Sequence, residues 1–206
     1  IPIPCSTAFY IISSLASTHL LLTLPLPLPL SLSHTHTAEE TGPKWEGKTS
    51  LELKGATADQ ALPFFEDFCN IHKWFPNLET GYQVEGELGK PGLIRYCAFK
   101  PQASSDSTGG NIINWAKEKL IMINTVERFL SYGIIENNMG YNSYTATFEV
   151  LPISGDGAGD QKRCKIEWSF VCDPIEGWKL QDANSFRNST LQLTANKIEQ
   201  ALCVST

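Results

Sequence analysis

The stretch INWAKEKLIM, Ile113 to Met122, alternates in a way that marks it as a β-strand. Successive side chains of a strand point to opposite faces of its sheet. One face here carries Trp115, Lys117 and Lys119, and the other carries Ala116, Glu118, Leu120 and Met122. The second face is the apolar one. Glu118 is therefore expected to point toward a core, which is an unusual place for a carboxylate.

The same period-2 signal recurs on both sides of this stretch. Trp45 to Lys54 puts Trp45, Leu51 and Leu53 on one face and Glu46, Lys48, Ser50, Glu52 and Lys54 on the other, the pattern of a half-buried strand. Further strands are expected around Tyr82 and Val84, and over Leu93–Phe99, Phe129–Glu136, Tyr141–Leu151 and Cys164–Cys172. Between the first strand and the rest, Thr57-Ala-Asp-Gln60 reads as a capping box that opens a short helix, with a kink or break at Pro63. NIHKWFPN, Asn70 to Asn77, gives a second short helix that stops at Pro76. The glycine-rich EGELGKPG, Glu85 to Gly92, is a strand-to-strand turn, since no helix follows it to hold a phosphate. Gln102–Gly110 reads as a polar loop, and Asn138–Gly140 and Ser154–Gly159 as turns.

After Asp173-Pro174 the period changes. Leu180, Ala183, Leu191, Ala195, Ile198 and Leu202 recur at helical spacing. The order is strand, two short helices, six strands, long helix. Strands joined by short turns favour antiparallel pairing, and a long amphipathic helix can cover the apolar face of such a sheet. The fold class expected is α+β: a seven-stranded antiparallel sheet curved around a long C-terminal helix, with two short helices after strand 1. Such a sheet often leaves a cavity under its helix.

The chain has 206 residues, a net charge of −6 and six cysteines. The acidic balance and the lack of a basic run argue against a nucleic-acid partner. No cysteine pair has CxxC spacing, and His72 is the one histidine beyond residue 36, so no metal site is expected. Scattered cysteines of this kind read as reduced thiols of a cytoplasmic protein. No Asp, Glu, Lys or Arg precedes Glu39, and Leu30–Thr37 reads LSLSHTHT, which CT and CA repeats encode. Residues 1–43 are therefore expected to be a disordered low-complexity leader, read as a translated leader sequence, and residues 44–206 the folded domain. A secretory signal needs a positive n-region and a transit peptide needs arginines, and neither is present. The alternating prolines after Leu24 would break a membrane helix.

Two further polar residues join Glu118 on apolar faces. In LIRYCAF, Arg95 shares a face with Leu93, Cys97 and Phe99; in YNSYTATFEV, Tyr144 shares one with Ala146, Phe148 and Val150. Burying an unpaired charge is costly, so such groups should meet one another, a ligand or trapped water. A buried Arg–Glu pair that only specifies the sheet and a working site both satisfy this pattern. The lining expected of a cavity is Tyr82, Leu93, Cys97, Phe99, Leu120, Phe148, Trp168 and Phe170. His72 and Trp74 read as helix-end packing. Glu149 and Glu167 read as solvated strand residues.

KWEGK (Lys44–Lys48), DFCNIHKWFP (Asp67–Pro76), GLIRY (Gly92–Tyr96), WAKEKL (Trp115–Leu120), GYNSYTAT (Gly140–Thr147) and IEWSFVCDPIEG (Ile166–Gly177) together resemble the lachrymatory-factor synthase group of plant START-like proteins. The wider superfamily includes birch-pollen-allergen proteins, polyketide cyclases and dehydrases. The resemblance covers about Lys44 to Val204 and implies a helix-grip fold. It implies that Arg95 and Glu118 are essential pocket residues assisted by Tyr144. It also implies isomerisation of a sulfenic acid to a thial S-oxide by proton transfer in an internal cavity, with no cofactor. Lys100–Asn111 departs from the synthase pattern. The gate, latch and lysine of the abscisic-acid receptors are missing from FKPQASSDSTGG, ENNMGYNSY and ETGYQVEG. The alternatives are a carrier for a small hydrophobic metabolite and a closed structural ion pair. A monomer or weak homodimer is expected, with no membrane partner.

Overall fold

The structure is a computed structural model that describes residues 42–100, 113–153 and 162–204. The expected leader, the loop Gln102–Gly110 and the turn Ser154–Gly159 lie outside the described residues. The strands are β1 (Trp45–Lys54), β2 (Leu78–Glu85), β3 (Ile94–Phe99), β4 (Trp115–Asn124), β5 (Phe129–Asn137), β6 (Thr145–Pro152) and β7 (Arg163–Cys172). Helices α1 (Ala58–Ala61) and α2 (Pro63–Glu66) and a 3₁₀ turn (Phe68–Lys73) follow β1, and α3 (Leu180–Val204) is the last described element. The seven strands form one antiparallel sheet in the order β1-β7-β6-β5-β4-β3-β2. Strands β2 to β7 are a meander. β1 closes on the last strand, from Trp45 opposite Cys172 to Lys54 opposite Arg163.

Local chemistry explains the short elements. Thr57 accepts from the Gln60 amide while the Gln60 side chain accepts from the Thr57 amide, so the capping box forms. Pro63 lacks an amide proton and starts α2 at its first position, so the expected break separates two four-residue helices. Phe65 and Phe68, at 2% exposure each, drop from this segment into the core between sheet and helix. Each such ring contributes about 1.5–3 kcal/mol by leaving water.

α3 lies across β1. A Cβ on Gly47 would run into Asn184 Oδ1 and the Phe170 ring, so glycine at that point lets helix and sheet meet closely. The buried stripe of α3 is Ala183, Arg187, Thr190, Leu191, Thr194, Ala195 and Ile198. Three of these are polar, and Arg187 is the only charged one.

The sheet departs from simple alternation in two places that matter for the site. The register of β4 against β5 shifts between Leu120 and Met122. Met122, expected inside, is turned out to 49% exposure, and Ile123 packs on the core instead. Near β6, Ser143 has a φ of 48°, and β6 begins only at Thr145. The chain therefore turns before Tyr144 rather than running straight from Tyr141. Glu167, read as solvated, is 7% exposed because Lys48 and Lys165 both pair with it.

Candidate functional site

Strand register brings the two inward charges together. Arg95 on β3 stands directly opposite Glu118 on β4. Arg95 Nε donates to Glu118 Oε2 at 2.6 Å, and Nη2 approaches the same oxygen at 2.6 Å. Nη1 donates to the Phe68 carbonyl at 2.5 Å, and the guanidinium stacks 3.7 Å from the Phe68 ring centre. The Cys97 thiol also lies 3.9 Å from Oε2. The Arg95 and Cys97 contacts to Glu118 all fall on Oε2. Oε1 receives no hydrogen bond from the described residues.

Aromatic rings extend the site toward α3. Arg95 lies 5.3 Å from the Tyr132 ring on β5, and Tyr132 is 6.3 Å from Tyr144. Tyr141 meets Tyr144 edge-on at 5.1 Å. Arg187 then closes the row. Its guanidinium carbon sits 3.5 Å over Phe170, 5.4 Å from Tyr144 and 5.8 Å from Trp168.

Burial sets the protonation of this wall. It pushes the Tyr144 phenol up to about 12 and Tyr132 well above its ordinary range, so both stay neutral donors at neutral pH. It pushes the Cys97 thiol up to about 12, which excludes a thiolate nucleophile there.

These groups enclose an inner cavity of about 60 Å³, room for a few water molecules. Arg95, Cys97, Glu118, Tyr132, Tyr144 and Arg187 all line it. Beside it lies a cleft of about 570 Å³, and the two share Asn77, Phe99, Met139, Tyr141 and Phe186 as walls. A ligand can therefore place a small reactive end inside and an apolar body in the cleft.

The structure brings Arg95, Glu118 and Tyr144 to one cavity, with Cys97, Phe99, Phe148 and Trp168 around them. Leu93 and Leu120, at 1% and 0% exposure, pack in the core and are not part of the cavity wall. Phe170 supports Arg187 from below rather than lining the cavity. Tyr82 is corrected: it pairs with the outward Tyr96, stacks on it at 5.0 Å and is 52% exposed. The inward side of β2 at that point is Gly81, packed against His72 and the Cys69 carbonyl. Tyr132, Tyr141 and Arg187 were not singled out from the sequence. Tyr132 follows from the alternation Leu130, Tyr132, Ile134, whereas Tyr141 depends on the turn at Ser143.

A curved antiparallel sheet gripping a long helix, with a lined cavity beneath, defines a ligand-holding helix-grip protein. The chain belongs to the polyketide cyclase / dehydrase and lipid transport family, whose pattern matches residues 44–199. Solved structures share the fold. The protein XoxI from Bacillus cereus is 20% identical with a TM-score of 0.56, covering 77% of this chain and 95% of that one. Major latex-like protein 151 of Panax ginseng is 17% identical with a TM-score of 0.56, covering 76% and 97%. A protein from Thermobifida fusca is 19% identical with a TM-score of 0.56, covering 75% and 93%. No helix of the described residues is long and apolar enough to cross a membrane.

Proposed function

We propose that this protein isomerises a small, mostly apolar molecule by moving a proton within the inner cavity, without a cofactor, in the manner of lachrymatory-factor synthase. The observation that carries this reading is the one-sided grip on Glu118. Arg95 holds Oε2, Oε1 receives no hydrogen bond from the described residues, and Glu118 lines the cavity. A carboxyl group fixed by one oxygen and open at the other is placed to take and return a proton.

For a 1-propenyl sulfenic acid the bookkeeping is simple. The O–H bond breaks and a C–H bond forms at the alkene carbon β to sulfur. The C=C bond becomes C=S, and no atom is gained or lost. Glu118 relays the proton, Arg95 supplies positive charge beside the oxygen as its electron density grows, and the neutral phenol of Tyr144 donates to it.

The test is product formation. The sulfenic acid is generated in situ from its cysteine sulfoxide by a lyase, the protein is added, and thial S-oxide is sought by gas chromatography–mass spectrometry. The expected result is thial S-oxide above the level of the lyase alone. No excess product from folded protein overturns the assignment of this substrate. A carrier reading rests on a different observation, the 570 Å³ cleft that dwarfs the inner cavity. It predicts instead a hydrophobic metabolite that is retained and recovered unchanged.

A further inference from the structure

Arg187 has a place in the fold that the proton-transfer reading does not use. It is 2% exposed, yet no carboxylate of the described residues forms an ion pair with it. Its Nη1 donates to the Ala183 carbonyl one turn back at 2.9 Å, its guanidinium also donates to the neutral hydroxyls of Tyr141 and Tyr144, and its Nε is buried with no acceptor. The indole Nε1 of Trp168, whose ring lies 5.8 Å from the guanidinium carbon, is also buried with no acceptor. Both side chains line the inner cavity.

Charge makes the same point. The cavity wall holds two arginines and one glutamate, so one positive charge (2 − 1) has no partner. The tyrosines cannot supply it, because burial keeps Tyr132, Tyr141 and Tyr144 protonated. An arginine stays charged at any accessible pH. A buried charge without a counter-ion is strongly disfavoured. Two orphan N–H donors beside it ask for a group that only accepts hydrogen bonds.

We infer that Arg187 and Trp168 bind the anionic end of the ligand, a singly charged oxyanion such as a carboxylate, carried on an apolar body. The body would occupy the shared walls Phe99, Met139 and Phe186 and the cleft beyond. Tyr132 and Tyr144 separate this end from Arg95 and Glu118. One ligand can therefore be held by its anion at α3 and presented to Glu118 at β4. The inference rests on the inner cavity being a ligand site, as proposed above, and it adds amphipathic monoanions as a ligand class of that cavity beside the neutral sulfenic acid.

The test is a binding comparison at pH 7. Straight-chain monocarboxylates from hexanoate to dodecanoate are titrated calorimetrically, each against its own primary amide, which has the same shape and no charge. The expected result is that the best carboxylate binds about 30-fold or more tightly than its amide. Arg187→Met should abolish that preference, and Arg187→Lys should retain part of it. Trp168→Phe, which removes one N–H and keeps an aromatic ring, should weaken the carboxylate about 10-fold and the amide, whose carbonyl makes only a neutral hydrogen bond, less. If Arg187→Met does not fold, the parent ratio and Trp168→Phe decide. No carboxylate preference in the parent, or a preference that survives in Arg187→Met, overturns the inference. Failure here separates from failure of the proton-transfer reading. A protein that prefers carboxylates but isomerises nothing overturns only the latter. One that isomerises a neutral substrate with no carboxylate preference overturns only the former.

Discussion

Arg95 on β3 and Arg187 on α3 are both nearly sealed from solvent, at 4% and 2% exposure, and both line the same cavity. Arg95 has a carboxylate opposite it in the sheet register, a carbonyl at Nη1 and an aromatic ring on its face. Arg187 has a carbonyl of its own helix, the neutral hydroxyls of Tyr141 and Tyr144 and three rings, but no carboxylate, and its Nε has nothing. The contrast follows from the two kinds of element. A strand pair delivers a partner residue by residue, whereas a helix facing a sheet delivers only what happens to lie beneath it. A satisfied ion pair holds the fold and aims Glu118. An unsatisfied cation is useful only if something arrives to satisfy it.

The largest effect that would break this contrast is on stability. Arg95→Leu leaves Glu118 buried without its partner, and the expected loss is about 3–5 kcal/mol by denaturant unfolding. Removing both charges together, Arg95→Leu with Glu118→Leu, should recover much of that loss. A change below about 1 kcal/mol in the single variant would show that the pair does not bind as tightly as its geometry implies.

The next effect sharpens the electrostatics of the wall between the two arginines. Burial raises Tyr144 from 10.0 to about 12 because the phenolate cannot be solvated there. The folded state thus holds this proton more tightly than the unfolded one. The associated stability is fully present below pH 10 and is lost as pH rises from 10 to 12. Two units correspond to about 2.7 kcal/mol. Stability of the parent should fall steeply across that window, and Tyr144→Phe should fall less. Parallel curves for the two proteins would contradict the account.

Smaller still is Arg187→Met without ligand. An uncompensated cation exchanged for an apolar side chain of similar length should change stability by less than about 1 kcal/mol, or raise it. A loss as large as that of Arg95→Leu would mean that Arg187 has a partner as strong as Glu118, and the comparison would collapse. Tyr82→Ser should do least. It removes a stacked ring on the outer face, costing under about 1 kcal/mol, and leaves turnover unchanged.

How far the sequence could be read tracks the same contrast. Period-2 alternation exposes a charge on an apolar strand face at once, so Arg95 and Glu118 stood out. Their direct opposition did not, because the β3–β4 register depends on the segment that joins the two strands, which alternation alone does not encode. Met122 and Tyr82 misled for related reasons. A register shift against β5 turns Met122 outward, and β2 is an edge strand whose large side chains, Tyr82 and Val84, face solvent while Gly81 faces in. Tyr141 was hidden by the left-handed Ser143, which no alternation rule anticipates. Arg187 left a faint trace. The helical recurrence runs Ala183, then Leu191, and skips the turn between them, where Arg187 sits. A gap in an apolar stripe filled by arginine reads most easily as a solvated residue. Only the sheet beneath it shows otherwise.

The central claim is that the free oxygen of Glu118 moves a proton. It is tested most directly by the turnover of Glu118→Gln beside the parent in the coupled sulfenic-acid assay, with both shown to be folded by circular dichroism. Glutamine keeps the shape and an acceptor oxygen but does not relay a proton at neutral pH. The account predicts product from the parent and a loss of about 10²–10⁴-fold in the variant. Equal turnover by the two folded proteins would contradict it and leave the Arg95–Glu118 pair as a structural tie alone.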